Sequence, residues 1–184
     1  MGDSNEVNWH PTNYRTNTLG EIASNGQDFL GLTVTLCGFA EIIRGKGAVC
    51  FIKLRDGTGY LQAFFKKGNI TDEELEKSQN ASRESTFQIS GTIAEKRPPK
   101  VPEGEPIPPP EYEIVATKVN ILSLAETPMP LGVTDKVEVG MDVRLDNRFL
   151  DLRRKHVNAM FRLRSKILQY GREHLISEGF GEIN

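Results

Sequence analysis

Residues 49–65 read VCFIKLRDGTGYLQAFF, and this stretch decides the fold. Two runs rich in aromatic and β-branched residues flank Arg55-Asp56-Gly57-Thr58-Gly59, where residues that tolerate positive φ cluster, so a β-hairpin is the economical reading. With a loop from Arg55 to Thr58, Leu54 is expected opposite Gly59, Lys53 opposite Tyr60, Ile52 opposite Leu61 and Phe51 opposite Gln62. Strand side chains alternate between faces. One face then collects Cys50, Ile52, Leu54, Leu61, Ala63 and Phe65, which is a core. The other collects Val49, Phe51, Lys53, Tyr60, Gln62 and Phe64. Rings, an amide and a cation together suit a surface that stacks and hydrogen-bonds unpaired bases. The same rings would equally pack beneath a neighbouring helix.

Working outward, Leu32 to Ile43 forms a long strand whose Gly38 is expected at a bulge or bend of a strongly curved sheet. A turn centred on Gly45 and Lys46 brings the chain back, setting Ile43 against Ala48 and Glu41 against Cys50. Before that strand, Leu19, Ile22 and Leu30 are apolar, and residues 1–16 form a polar tail expected to be disordered or loosely docked. After Phe65, the acidic run from Asp72 behind Thr71 as N-cap predicts a helix to about Ser82. Period-two alternation returns over Thr86 to Ala94 and again over Tyr112 to Leu122. Between these two strands, Arg97 to Pro110 is proline-rich and reads as a stiff polyproline-like loop. Five short strands, a helix between the third and fourth, and a glycine in the first describe an all-β domain with one or two helices, a five-stranded Greek-key OB-fold barrel. That fold often binds single-stranded nucleic acid on its second and third strands, here the opening hairpin. A fold alone assigns no function, so the case rests on the side chains.

The 184 residues carry a net charge of −2, so no global basic field announces a nucleic-acid partner. Positive charge is local instead. Arg44 with Lys46, Lys53 with Arg55, and Lys66 with Lys67 flank the hairpin, and Lys96, Arg97 and Lys100 lie further on. No apolar run approaches the ~20 residues of a membrane span, and the N-terminus shows no apolar signal region, so a cytoplasmic protein is expected. The two cysteines, Cys37 and Cys50, fit a reducing compartment and do not face each other in the expected register. With only three histidines and no ligand spacing between histidine and cysteine, a metal site is not expected.

From Ala125 the character changes. The expected organisation is a polar tail at 1–16, the barrel at 17–124, a linker or hinge at 125–157, and a final segment at 158–184. A helix is expected from about Asn158 to Ser177, with Met160, Phe161, Leu163, Ile167, Leu168, Gly171 and Leu175 on one side. That stripe has no obvious partner in the first 125 residues. The residues from Gly179 onward start as a strand and stop, so the chain reads as cut.

Several blocks, in order, resemble the class IIb aminoacyl-tRNA synthetases, most closely the aspartyl enzymes of archaeal and eukaryotic type. They are Arg15-Thr16 with Gly20-Glu21-Ile22, Gly38 leading to Ile43-Arg44, Phe51 to Asp56, Gly59 to Gln62, Glu113 to Lys118, Arg144 to Arg153, Phe161 to Ser165, and Glu178 to Ile183. The RLDNRFLDLR block at 144–153 is the most specific of them and favours aspartyl over asparaginyl or lysyl relatives. The resemblance implies that the barrel grips a tRNA anticodon loop. It further implies that Phe51 stacks on the central anticodon base, that Gln62 reads its edge, and that Glu113 contributes from the fifth strand. The amide of Gln62 alone could flip to serve cytosine as well as uracil. Arg44, Lys46 and Lys53 are expected either to hold phosphates or to be solvated surface. For the parent enzyme the resemblance implies aspartate–tRNA ligase activity with ATP and Mg²⁺, in a homodimer formed through the catalytic domain. The final helix would be the start of that class II domain. The family's ATP-binding motifs are absent, so the chain itself is expected to hold no cofactor and to catalyse nothing. The alternatives are an asparaginyl or lysyl relative, or a free-standing OB-fold RNA-binding protein.

Overall fold

The computed structural model describes residues 14–98, 109–133 and 138–183. They divide into two compact units that meet between Thr127 and Pro128. In the first unit five strands, β1 (Thr33–Arg44), β2 (Val49–Arg55), β3 (Tyr60–Lys66), β4 (Thr86–Glu95) and β5 (Tyr112–Ser123), close into a barrel in the order β1-β2-β3-β5-β4. All pairings are antiparallel except β3 with β5, the parallel contact characteristic of this barrel. The interior is the expected face of the hairpin: Cys50, Ile52, Leu54, Leu61, Ala63 and Phe65 are all buried, joined by Leu36, Phe87, Ile89, Ile93 and Ile114. Burial pushes the Cys50 thiol up to about 11. Cys37 and Cys50 are both free thiols.

The hairpin register differs from the sequence expectation. Arg55 pairs with Tyr60, Lys53 with Gln62, and Phe51 with Phe64, so the loop runs from Asp56 to Gly59. The cause is Asp56, whose Oδ1 accepts hydrogen bonds from Thr58 N at 2.7 Å, Thr58 Oγ1 at 2.6 Å and Gly59 N at 2.9 Å. Its backbone N–H donates to Gly59 O at 3.1 Å, which draws Arg55 into the strand. The partner of each residue moves by two positions, an even number, so every side chain keeps its face.

The β1–β2 turn is also longer than expected. Ile43 pairs with Ile52 and Arg44 with Phe51, because Gly45 (φ 111°) and Gly47 (φ 67°) both take left-handed backbone in the connection. The bulge in β1 sits between Ala40 and Ile42 rather than at Gly38, which pairs regularly with Phe87. Gly38 is a close-approach site instead, since a Cβ there would lie 3.0 Å from Arg55 O and 3.1 Å from Leu19 Cδ1.

Two N-terminal features add to the sequence reading. Tyr14 O accepts from Gln88 Nε2 at 2.8 Å, and Thr16 N donates to Thr35 O at 2.8 Å, docking residues 14–16 along β1. Residues 1–13 lie outside the described residues. Then α1 (Leu19–Asn25) forms behind a capping box, Thr18 with Glu21, and buries Leu19 and Ile22 against the barrel. Helix α2 (Asp72–Asn80) has the expected Thr71 cap, completed by Glu74, and ends short of Ser82. Most of the proline-rich loop, residues 99–108, lies outside the described residues.

The second unit holds α3 (Met141–Asp146), α4 (Arg148–Asp151) and α5 (Lys155–Ser177). Leu131, Val133 and Leu150 form a small core with Met129 and Val139. Asp151 is fully buried beneath three arginines of the 144–154 segment. Arg144 Nε and Nη2 donate to it at 3.0 and 3.2 Å, Arg148 Nη1 donates at 2.9 Å, and Arg154 Nη1 lies 3.9 Å away. Helix α5 begins three residues before the expected Asn158, and its Met160, Leu163, Ile167, Leu168 and Leu175 are exposed. The described residues after Gly179 form no strand.

Candidate nucleic-acid interface

The outward face of β1, β2, β3 and β5 carries two cross-strand rows. Arg44, Phe51 and Phe64 lie side by side in the first. Lys53, Gln62 and Glu113 lie side by side in the second. Phe51 and Gln62 are therefore diagonal neighbours, not the directly opposed pair expected from the sequence, yet on one face and still within reach of one ligand.

Phe51 is flanked on both sides. The Phe64 ring stacks on it with centroids 4.9 Å apart and planes 21° apart, and Arg44 Cζ lies over it, 5.6 Å from its centroid. Both rings are half-buried. Phe64, one of the rings expected on this face, is thus the plate that backs Phe51 and fixes its plane.

The two rows together fix the amide. Arg44 Nη2 donates to Gln62 Oε1 at 2.9 Å, while Gln62 Nε2 donates to Glu113 Oε2 at 2.6 Å. A guanidinium can only donate and a carboxylate can only accept, so the flipped amide would meet two repulsive contacts instead of two bonds. The orientation that isolated sequence reasoning left open is set by these two neighbours. Glu113 reaches Gln62 only because β3 and β5 pair in parallel, a contact between residues 51 positions apart.

The three cations divide. Arg44 belongs to the site. Lys53 Nζ lies 4.4 Å from the centroid of the Tyr60 ring and 3.4 Å from Glu41 Oε1, and the residue lines the concavity beside Gln62. Lys46 is exposed in the β1–β2 turn and does not line the concavity beside Gln62. That open hollow, about 410 Å³, runs from Arg44 and Gln62 past Tyr60 to Lys96 and Tyr112. Lys96 pairs with Glu111 at its mouth. Lys96 and Tyr112 were not singled out as site residues, and only barrel closure brings them to the hairpin. Among the described residues no cluster of three histidine, cysteine, aspartate or glutamate side chains could hold a metal ion, and no helix is long and apolar enough to cross a membrane.

Comparison with known proteins agrees with the barrel fold. Residues 34–122 match the family described as the OB-fold nucleic acid binding domain, and residues 140–184 match the tRNA synthetases class II (D, K and N). The chain is 34% identical over 171 residues to the aspartate–tRNA(Asp/Asn) ligase of Methanosarcina barkeri, covering 93% of this chain and 35% of that protein. It is 38% identical over 154 residues to the enzyme of the same name from Haloquadratum walsbyi, covering 84% and 33%. The solved aspartyl-tRNA synthetase of Entamoeba histolytica superposes with a TM-score of 0.72 at 31% identity, covering 85% of this chain and 37% of that one. The chain thus spans about a third of the length of the curated relatives it matches. With relatives of one name across both parts, the chain consists of an OB-fold anticodon-binding domain and the start of a class II tRNA synthetase domain of the D, K and N family.

Proposed function

We propose that this chain recognises the anticodon loop of an aspartate tRNA through the face of β2 and β3, as the N-terminal part of an aspartate–tRNA ligase. The observation that carries the reading is the Arg44–Gln62–Glu113 chain beside the Phe51 ring. A base stacked on Phe51 gains about 1–3 kcal/mol from a ring that accepts any base. The fixed amide then selects. Gln62 Oε1, facing away from Glu113, accepts from the N3–H of uracil, and the second Nε2 proton serves a uracil carbonyl. Cytosine has an acceptor at N3 and meets an acceptor.

The same pair cannot separate aspartate from asparagine tRNA, since both carry a central uracil in the anticodon. The relatives' names cover both tRNAs, which supports a second reading in which the enzyme serves the two alike. ATP and Mg²⁺ are proposed for the longer enzyme, because the family motifs that hold them are not among these 184 residues. Lys53 and Lys46 are proposed as contacts to the RNA backbone. The exposed apolar side of α5 supports a homodimer, and the unbridged cysteines support a cytoplasmic enzyme.

The test is titration of an anticodon hairpin at fixed salt. Phe51→Ala and Gln62→Ala are each expected to weaken binding by about 1–3 kcal/mol, and changing the central uracil to cytosine should cost the wild-type protein a similar amount. Unchanged affinity in both variants would remove the assignment.

A further inference from the structure

Arg44 stands where the base would stand, an inference that rests on the reading of Phe51 and Gln62 as the base-binding pair. Phe64 occupies one face of the Phe51 ring, so the guanidinium over that ring covers the face that Phe64 leaves. The same guanidinium donates to Gln62 Oε1 at 2.9 Å. A uracil bound here would use that ring face and donate its N3–H to that oxygen. Both groups are flat, and both offer an N–H donor at their edge.

The neighbouring cation provides a contrast. Lys53 also lies over a ring, Tyr60, but its ammonium turns to the Glu41 carboxylate and makes no bond to an amide. Arg44 is exposed, and among the described residues it makes no ion pair with a carboxylate. A stack and one hydrogen bond to a neutral acceptor hold it, which an incoming base can replace one for one.

We propose that Arg44 is a surrogate for the base. In the RNA-free protein it keeps the Phe51 face covered and the Gln62 amide turned to accept a donor. An arriving uracil displaces it from both, and the released guanidinium, still tethered at the end of β1, pairs with an RNA phosphate. Selection for a donor base is therefore set before the RNA arrives, and the charge that guarded the site becomes part of the grip.

The experiment follows the Arg44 Nε–H resonance of ¹⁵N-labelled protein during titration with a uracil-centred anticodon hairpin. It is expected to begin ring-shifted and to move to the position of a solvated arginine in step with binding. In hairpin-free Phe51→Ala it should already be there. In parallel, Arg44→Ala is expected to bind uridine nucleoside, which carries no phosphate, several-fold more tightly than wild type. The same variant should bind the hairpin with a salt dependence shallower by about 0.7–0.9 in log K against log salt. A signal that stays ring-shifted in the saturated complex, or an Arg44→Ala protein that binds uridine no better than wild type, overturns the proposal. Hairpin affinity unchanged by Phe51→Ala would instead overturn the base-site reading, wherever the Arg44 signal goes.

Discussion

At the scale of single residues, Gln62 shows how much a side chain's role depends on its neighbours. An amide is chemically two-faced, and here Glu113 at 2.6 Å and Arg44 at 2.9 Å remove the ambiguity. Replacing Glu113 by glutamine restores it once a base has displaced Arg44, because an amide can either accept from or donate to Gln62. Glu113→Gln is expected to leave uracil-centred hairpin binding within a few-fold while narrowing the uracil-over-cytosine preference about tenfold, measured as a ratio of dissociation constants for two hairpins differing in that base. Asp56 has a comparable structural weight. Besides the loop bonds, its Oδ2 accepts from Leu19 N at 3.0 Å, so one carboxylate ties the hairpin to the first turn of α1. Asp56→Ala is expected to cost about 2–3 kcal/mol, read from urea unfolding. Phe51 and Gln62 were legible in the sequence because period two alone places them on one face. Glu113 came from resemblance, and its reason, a hydrogen bond across a parallel strand pair, was not visible in local pattern.

At the scale of elements, the strands were legible and their registers were not. Alternation identifies a strand whichever partner it finds, whereas register depends on which turn residue captures the chain. Asp56 captured Gly59 and Thr58, moving the loop by one residue from its expected start. The same limit applies to bulges. Gly91, where β4 slips against β5 between Ser90 and Gly91, leaves no room for a side chain, since a Cβ there would lie 2.1 Å from Val115 O. Gly91→Ala must therefore push two paired strands apart, and its expected outcome is loss of the cooperative thermal transition of the barrel, followed by circular dichroism. Helix α1 was missed although Thr18 and Glu21 form a capping box. Its seven residues carry too little periodicity to stand out. Helix α2 was found through its Thr71 cap and the acidic run behind it, and Thr71→Ala is expected to cost about 1 kcal/mol.

At the scale of the whole molecule, the two units have different vulnerabilities. The barrel rests on an apolar interior, whereas the second unit places one buried carboxylate at its hub. The hydrogen bonds from Arg144, with the charges of Arg148 and Arg154, hold the Asp151 carboxyl below the ordinary aspartate value of 3.8. A carboxyl depressed in the folded state contributes stability that is complete above its unfolded pKa and is lost as pH falls through the folded one. Melting of the helical signal is therefore expected to be insensitive to Asp151 above about pH 5 and to fall progressively below about pH 4, and Asp151→Asn should flatten that acid limb. The 144–153 block that carried the family resemblance thus has a structural cause: its arginines at 144 and 148, with Arg154 just beyond it, surround the buried Asp151. By itself the sequence determined which residues form strands, which face of each is buried, and that Phe51 and Gln62 share the exposed one, because those properties follow from the period of the chain. Only the tertiary structure decided that Phe64 backs Phe51, that Glu113 and Arg44 fix the amide, and that Lys96 and Tyr112 border the same hollow. The first follows from the β2–β3 register and the place of Arg44 from the β1–β2 register, each set by a turn, whereas Glu113, Lys96 and Tyr112 reach the hairpin only through closure of the barrel by β5, which joins segments far apart in the chain and leaves no local signature in either.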